Sequence, residues 1–359
     1  MKLVRILVDT LADRGLPNAQ LGNAREIIAR LDPQLFHVTT FHIGVPDERI
    51  LRRPCTRLIP LPLKRQTIPI LKEFLFGAHD LVFYLKASPA SAMYMKFRRM
   101  RGRRALTIAT VEGQSNTRLE PTIAPEAIRL GQRTVLKADY LFSNSNWVQR
   151  SLMENYGLTS EVVPTGVDTK FYAPGRERPE NPRLRVLFVG SLRPFKGPQV
   201  VVDAAKRFPE ADFVLVGDGI MREELQARSA DLPNVTMKGE IGADQLLTEY
   251  RQADIFLFPS RWEGSPKVLC EAAACGLPVV ARRDYEPETV VHGETGLLAR
   301  DDDEVLDHLG QLLASKELRQ RLGRRGRSHI AKFDWDLITK QWEEVFLRFR
   351  SKGDRRDIG

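Results

Sequence analysis

Short apolar runs alternate with amphipathic segments along almost the whole chain, and that rhythm admits few folds. In the second half, LRVLFVGSL, ADFVLVGDG, NVTMKGE, ADIFLFPS and LPVVARR read as buried strands. Between them lie PQVVVDAAKRF, REELQARSA, DQLLTEYRQ and KVLCEAAACG, with apolar positions at helical spacing. Strand, helix, strand in this order predicts a parallel sheet covered on both faces. The first half repeats the pattern less cleanly, with KLVRILVDT, HVTTFHIG, DLVFYLKA, ALTIATVEG, YLFSNS and EVVPTGVD as strands. WVQRSLMENYG reads as a helix that stops at Gly157, a natural left-handed cap.

The fold class is therefore α/β, with two doubly wound, Rossmann-like domains facing across a cleft. At about 100–200 residues per domain, 359 residues suit two. The Pro-, Gly- and charge-rich run YAPGRERPENPRLR places the boundary, giving domains 1–168 and 169–334. The amphipathic segment WDLITKQWEEVFLRF follows the last strand unit and reads as a final helix over 335–350. Ligands of such sheets bind outside the carboxyl ends of the strands, so the chemistry belongs there.

Composition narrows the class further. No run approaches the ~20 apolar residues of a membrane span. Asp9 and Asp13 come too early for a signal-peptide core. Three cysteines, Cys55, Cys270 and Cys275, are too few for a disulfide framework, which points to a cytoplasmic protein. The net charge of +9 is partly local, since Lys96, Arg98, Arg99, Arg101, Arg103 and Arg104 share one short stretch. That stretch is a solvated helix face or, with Met93, Phe97 and the nearby IPILKEFLFG, an attachment to an anionic membrane surface. No nucleic-acid-binding module accompanies the charge, so no nucleic acid partner is expected.

Two segments carry chemistry. In RVLFVGSLRPFKG a buried strand ends at Gly190, and Arg193 and Lys196 follow in the next loop. Glycine lets a ligand approach the backbone, and the two cations suit a diphosphate. The phosphate-binding pattern GxxxxGK[ST] is absent. In FPSRWEGSPKVLCEAAACG a strand ends near Pro259, a loop carries Glu263 and Gly264, and Pro266 opens a helix bearing Glu271. The helix start offers free N–H groups to an anion, and each carboxylate can accept two hydroxyls, as a ribose or sugar ring supplies.

EGSPKVLCE resembles the E-x7-E signature of the GT-B glycosyltransferases, in particular their retaining family 4 (glycosyl transferases group 1). VGSLRPFKG, VLVGDG, NVTMKGEI and EPETVVHGETGLLA are similar to that family's other motifs and keep its order. The resemblance implies a hexosyltransferase that uses a nucleoside diphosphate sugar, UDP-linked by default, and a hydroxyl acceptor: a sugar, lipid-linked glycan or small molecule. It implies that Glu271 binds the ribose hydroxyls, Glu263 the donor-sugar hydroxyls and Lys196 the diphosphate. Gly264, Ser265, Pro266, Lys267 and Val268 should cradle sugar and phosphate, and Gly239, Glu240 and Ile241 should line the base pocket.

Departures from the family pattern mark the rest of the site. Ser191 stands where the family's phosphate arginine is usual; an arginine follows at Arg193, and whether it substitutes is a question the sequence leaves open, so it ranks below Lys196. The resemblance also implies that a final helix over 335–350 packs back on the first domain. The glycine-rich turn after the first strand is reduced to Gly15 and Gly22, and Glu112 stands where relatives place a histidine facing the donor sugar. Thr165 replaces an asparagine in VPTGVD. Retention by same-face attack needs no cofactor and no metal, and the DxD string in Asp301–Asp303 reads as a helix cap. Competing readings are a sugar-nucleotide epimerase of the same architecture, which needs no acceptor, and a non-catalytic sugar-nucleotide-binding protein.

Overall fold

The computed structural model of the chain describes residues 3–14, 19–98, 105–113, 125–175 and 182–354. It divides into two compact units, Met1–Thr165 with Trp335–Gly359, and Gly166–Asp334. In the first unit the strands are β1 (Val4–Leu11), β2 (Phe36–His42), β3 (Thr56–Pro60), β4 (Leu81–Phe83), β5 (Leu106–Val111), β6 (Tyr140–Ser143) and β7 (Glu161–Val162). They form a parallel sheet in the order β3-β2-β1-β4-β5-β6-β7. The second unit holds β8 (Arg185–Val189), β9 (Asp212–Val216), β10 (Val235–Met237), β11 (Ile255–Phe258), β12 (Val279–Arg282) and β13 (Leu297–Ala299). Its order is β10-β9-β8-β11-β12-β13, again parallel.

Both orders reverse beside the first strand of the unit, the doubly wound arrangement. The central strands are short and apolar because helices cover both faces: all four residues of β11 and of β12 are buried. Two strands depart from the sequence reading. β3 is an edge strand, largely unburied and closed by Pro60, so it lacks the apolar run that marks its neighbours. EVVPTGVD contributes only two strand residues, since Pro164 cannot extend the ladder.

The division between units falls at 165/166, ahead of the Pro- and Gly-rich run. The backbone N–H of Val167 donates to Phe333 O (2.9 Å), and Asp334 accepts from the N–H (3.2 Å) and hydroxyl of Thr169. These bonds fix the chain to the second unit before Tyr172 is reached. Tyr172 then packs edge-on against Tyr250, with ring centroids 5.9 Å apart. The start of the expected linker is thus built into the second unit.

The last helix, Trp335–Asp354, belongs to the first unit. Trp335, Ile338, Trp342, Val345, Phe346 and Phe349 form one helical stripe and join the core under β1, β4 and β6. Trp342 lies 4.7 Å from the Phe83 ring and 4.9 Å from Phe142, and Phe349 stacks on Tyr140 at 3.8 Å. Each large side chain so buried contributes ~1.5–3 kcal/mol. The helix Asn146–Tyr156 ends at Gly157, whose φ of 62° is the left-handed cap.

Candidate donor site

The second unit gathers polar groups from the loops after β8 and β11, neighbours in the sheet. After β8 the chain makes a single tight turn, Pro194–Lys196, and then Gly197 at φ 73°. A Cβ at Gly197 would sit 2.6 Å from the Pro259 carbonyl oxygen, so glycine is required for the two loops to touch. The Arg261 N–H closes the contact by donating to Phe195 O (2.8 Å).

This contact brings Lys196 and Glu263 together. The Lys196 ammonium donates to Glu263 Oε1, and the fully buried Ser260 hydroxyl donates to the same oxygen at 2.7 Å. Lys196 also lies 5.4 Å from the Phe195 ring centroid and 5.6 Å from that of Phe258. The two residues assigned to separate parts of the donor are therefore paired with each other. Their charges cancel inside a partly buried pocket, which avoids an isolated buried ion.

Glu271 lies on the helix Lys267–Ala274, with Pro266 at its N-cap position, one residue before the helix proper. Cys270, Ala272, Ala273 and Ala274 are buried around it. Tyr250 donates its hydroxyl to Glu271 Oε2 at 2.9 Å. Burial pushes the Glu271 carboxyl above its ordinary value, opposed by the Tyr250 hydroxyl, the Lys267 charge and the Tyr172 hydroxyl. A carboxylate has about four lone-pair positions, so it can hold these phenols and still accept hydroxyls from a ligand.

The remaining predicted residues sit along the same edge. Gly190 and Ser191 are half-buried at the end of β8, and Arg193 is exposed. Gly239 has φ 70° just beyond β10, its carbonyl accepting from Gly217 N–H (2.8 Å), with Glu240 exposed and Ile241 half-buried beside it. Gly264, Ser265, Lys267 and Val268 are half-buried. Asp301 caps the helix Asp302–Ala314 by accepting from Glu304 N–H (2.8 Å), and Asp302 pairs with Arg261 and Arg282, both at 2.6 Å. Asp301 and Asp302 are thereby occupied in structural contacts.

Sequence reasoning missed Ser260, Tyr250, Tyr172 and Tyr285. The Tyr285 hydroxyl is buried, has no hydrogen-bond partner among the described residues, and feels the Glu263 charge after burial as the second cause of its raised pKa. Tyr250 shows only as a tyrosine in an amphipathic helix pattern, and Ser260, Tyr172 and Tyr285 lie in loops that carry no such pattern.

In the first unit, Glu112 follows β5 and accepts from Tyr84 Oη (2.6 Å) and Asn23 Nδ2 (3.1 Å). Tyr84 is buried at a left-handed φ of 57°, uncommon for a non-glycine residue. Beside it, the buried Asp9 accepts from Lys86 N–H (2.9 Å) and Ser91 Oγ (3.0 Å), and burial raises its pKa. Gly15 lies outside the described residues. Arg98 is no surface charge: it is buried, ion-paired with Asp139 at 2.5 Å and bonded to Thr107 Oγ1 at 2.7 Å. Arg99, Arg101, Arg103 and Arg104 also lie outside the described residues.

Residues 173–329 match the family model described as glycosyl transferases group 1. A GDP-mannose-dependent alpha-(1-6)-phosphatidylinositol monomannoside mannosyltransferase of Mycolicibacterium smegmatis is 29% identical over 321 residues, 81% of each chain. A D-inositol 3-phosphate glycosyltransferase of Acidothermus cellulolyticus is 34% identical over 262 residues, 64% of this chain and 58% of that protein. The sucrose-phosphate synthase structure from Thermosynechococcus elongatus superposes with a TM-score of 0.81 at 20% identity, covering 97% of this chain and 100% of that one. Two doubly wound units with these likenesses define a GT-B glycosyltransferase. Within that class, residues 173–329 form a glycosyl transferases group 1 domain.

Proposed function

We propose that the chain transfers a hexosyl group from a nucleoside diphosphate sugar to a hydroxyl acceptor, with retention at the anomeric carbon. The observation that carries this reading is the Lys196–Glu263–Ser260 cluster beside the start of the helix Lys267–Ala274. A diphosphate entering there draws Lys196 from Glu263, which frees the carboxylate for the donor-sugar hydroxyls. The positive dipole end of that helix favours the same anion. Glu271 takes the ribose hydroxyls.

In the reaction, the bond from the anomeric carbon to the diphosphate oxygen breaks as the acceptor oxygen bonds on the same face. The hydroxyl proton passes to the leaving phosphate. Lys196 and the helix start, assisted by Arg193, stabilise the charge that builds on the diphosphate; one such donor contributes ~2.7–4 kcal/mol. Protein cations supply that role without a metal. The sequence default of UDP gives way to GDP-mannose as the first donor to test, because the mycobacterial relative is named for it.

The acceptor lies with an anionic membrane surface. On the first unit, the helix Thr67–Phe76 presents Ile68 (72% exposed) and Phe76 (67%), and the contacting helix Pro89–Phe97 presents Met93 and Phe97. Lys64, Arg65, Lys72 and Lys96 are exposed around them. Apolar side chains with a cationic surround suit anionic headgroups. Among the described residues no helix is long and apolar enough to cross a membrane. Sedimentation with phosphatidylglycerol vesicles should carry the protein down, and Ile68→Ser/Phe76→Ser should release it.

The donor reading is tested by a thermal-shift and mass-spectrometric screen of GDP-, UDP-, ADP- and dTDP-sugars against the wild type and Glu271→Ala. One donor should stabilise the wild type and slowly release its diphosphate, with neither effect in the variant. A sugar epimerised without diphosphate release would identify an epimerase, and no binding at millimolar donor would leave a binding protein.

A further inference from the structure

The helix Lys316–Ile330, KELRQRLGRRGRSHI, carries six basic side chains in fifteen residues, leaving histidine aside, and has no part in the donor cluster. Gln320, Gly323, Arg324 and Arg327 follow the i, i+3, i+4, i+7 spacing of one face. That face lines a cavity of about 370 Å³ in the second unit, walled on other sides by Arg251, Tyr250 and the Cys275–Gly276 turn. Gly323 sets its depth: a Cβ there would lie 2.3 Å from the Gly276 carbonyl oxygen, so only glycine lets the helix reach the turn.

Three guanidinium groups border the cavity, and no carboxylate is among the described residues that line it. Arg251 donates from Nε to Ala173 O (2.9 Å), which holds its plane and leaves its terminal nitrogens free of partners among the described residues. The side chains of Arg324 and Arg327 are exposed and make no ion pair among the described residues. The positive field reaches the buried Cys275 thiol. Burial drives its pKa up to about 12, and Glu271 adds to the rise, while Arg251 and Arg327 pull against both.

We propose that this cavity is a binding site for an oligophosphate anion, separate from the donor loops. Planar guanidinium forks bind phosphoryl oxygens in pairs, and three forks around one cavity call for adjacent phosphoryl groups in place of a single carboxylate. Tyr250 joins the wall of this cavity to the donor site, because its hydroxyl is held by Glu271. The anion has two chemical sources, a nucleoside diphosphate or a free inorganic oligophosphate.

Titration calorimetry of the full chain with inorganic pyrophosphate, and separately with GDP, tests the assignment at low salt. Arg324→Gln/Arg327→Gln should weaken pyrophosphate binding about tenfold or more. Lys196→Ala should leave the binding event that the arginine pair weakens in place, whatever it removes at the donor loops. Arg321→Gln/Arg325→Gln, which removes equal charge from the other faces of the same helix, should also leave it unchanged. A GDP affinity that falls with the Arg324/Arg327 pair names the nucleotide as the source; one that depends on Lys196 alone names the free oligophosphate. The proposal is overturned if the wild type binds no pyrophosphate at millimolar concentration. Loss of that same binding event in Lys196→Ala, or equal loss in both arginine pairs, overturns it too: the first puts the anion in the donor loops, the second makes it a general effect of charge.

Discussion

The two units share a parallel, doubly wound sheet, yet they assemble their polar clusters in opposite ways. In the second unit, Ser260, Glu263 and Glu271 lie within one strand–loop–helix segment, and Lys196, Tyr250 and Tyr172 join them from outside it. In the first unit, Asn23, Tyr84 and Glu112 meet across 28 and 89 residues, and Asp9, Lys86 and Ser91 across 77 and 82. A site written into one segment keeps its spacing under local geometry alone. A site collected from separate strand ends depends on the whole sheet, and here on a helix from the far end of the chain. The first unit should therefore be the more sensitive to distant packing changes and the second to single polar substitutions.

The strongest way to break this contrast is at the helix that closes the first unit. Trp342→Ala removes a buried ring packed on Phe83, Phe142 and Phe346 and should cost ~3–5 kcal/mol in urea unfolding. A loss below about 1 kcal/mol would mean that the first unit holds its sheet without the helix. In the second unit, Lys196→Ala should lower kcat by roughly 100- to 1000-fold with little change in melting temperature. Equal falls in turnover and stability would make Lys196 a structural partner of Glu263 and nothing more.

Ser260→Ala sharpens the picture at smaller amplitude. It deletes a buried hydroxyl that donates to Glu263, with an expected loss of ~1 kcal/mol in stability and a rise in donor KM. The smallest effect concerns Glu271→Gln. Glu271 has a folded-state pKa raised above its unfolded value by burial, so its contribution to stability is fully present below the ordinary carboxylate range and lost as pH rises through the folded value. The amide keeps an oxygen for Tyr250 and carries no charge. The variant should thus melt higher than the wild type near pH 7, and the gap should close on acidification towards pH ~4. A gap that widens instead would contradict the burial account.

The same contrast explains what the sequence disclosed. The second unit's strands are unbroken apolar runs, and EGSPKVLCE keeps two carboxylates and a helix start at fixed spacing. Both features are local, and local features are legible. The Lys196–Glu263 pair was not, because it depends on Gly197 seating one loop against Pro259. Nor were Tyr250 and Tyr172, which reach Glu271 from a neighbouring helix and the segment before β8. β3 escaped because an edge strand need not be apolar. Arg98 read as surface charge because its partner, Asp139, lies 41 residues away. The helix Lys316–Ile330 was passed over, since its charge and two glycines hide a face that packs through Gly323 and Gly326.

The most direct test of the central claim, that the second unit alone recognises the donor, is titration calorimetry with the donor found by the screen. Wild type, Glu271→Ala and Glu112→Gln would be compared, with turnover measured beside each. The account predicts that Glu271→Ala loses donor binding, while Glu112→Gln keeps the wild-type Kd and loses turnover. Donor binding that survives Glu271→Ala but fails in Glu112→Gln would contradict it and move donor recognition to the first unit.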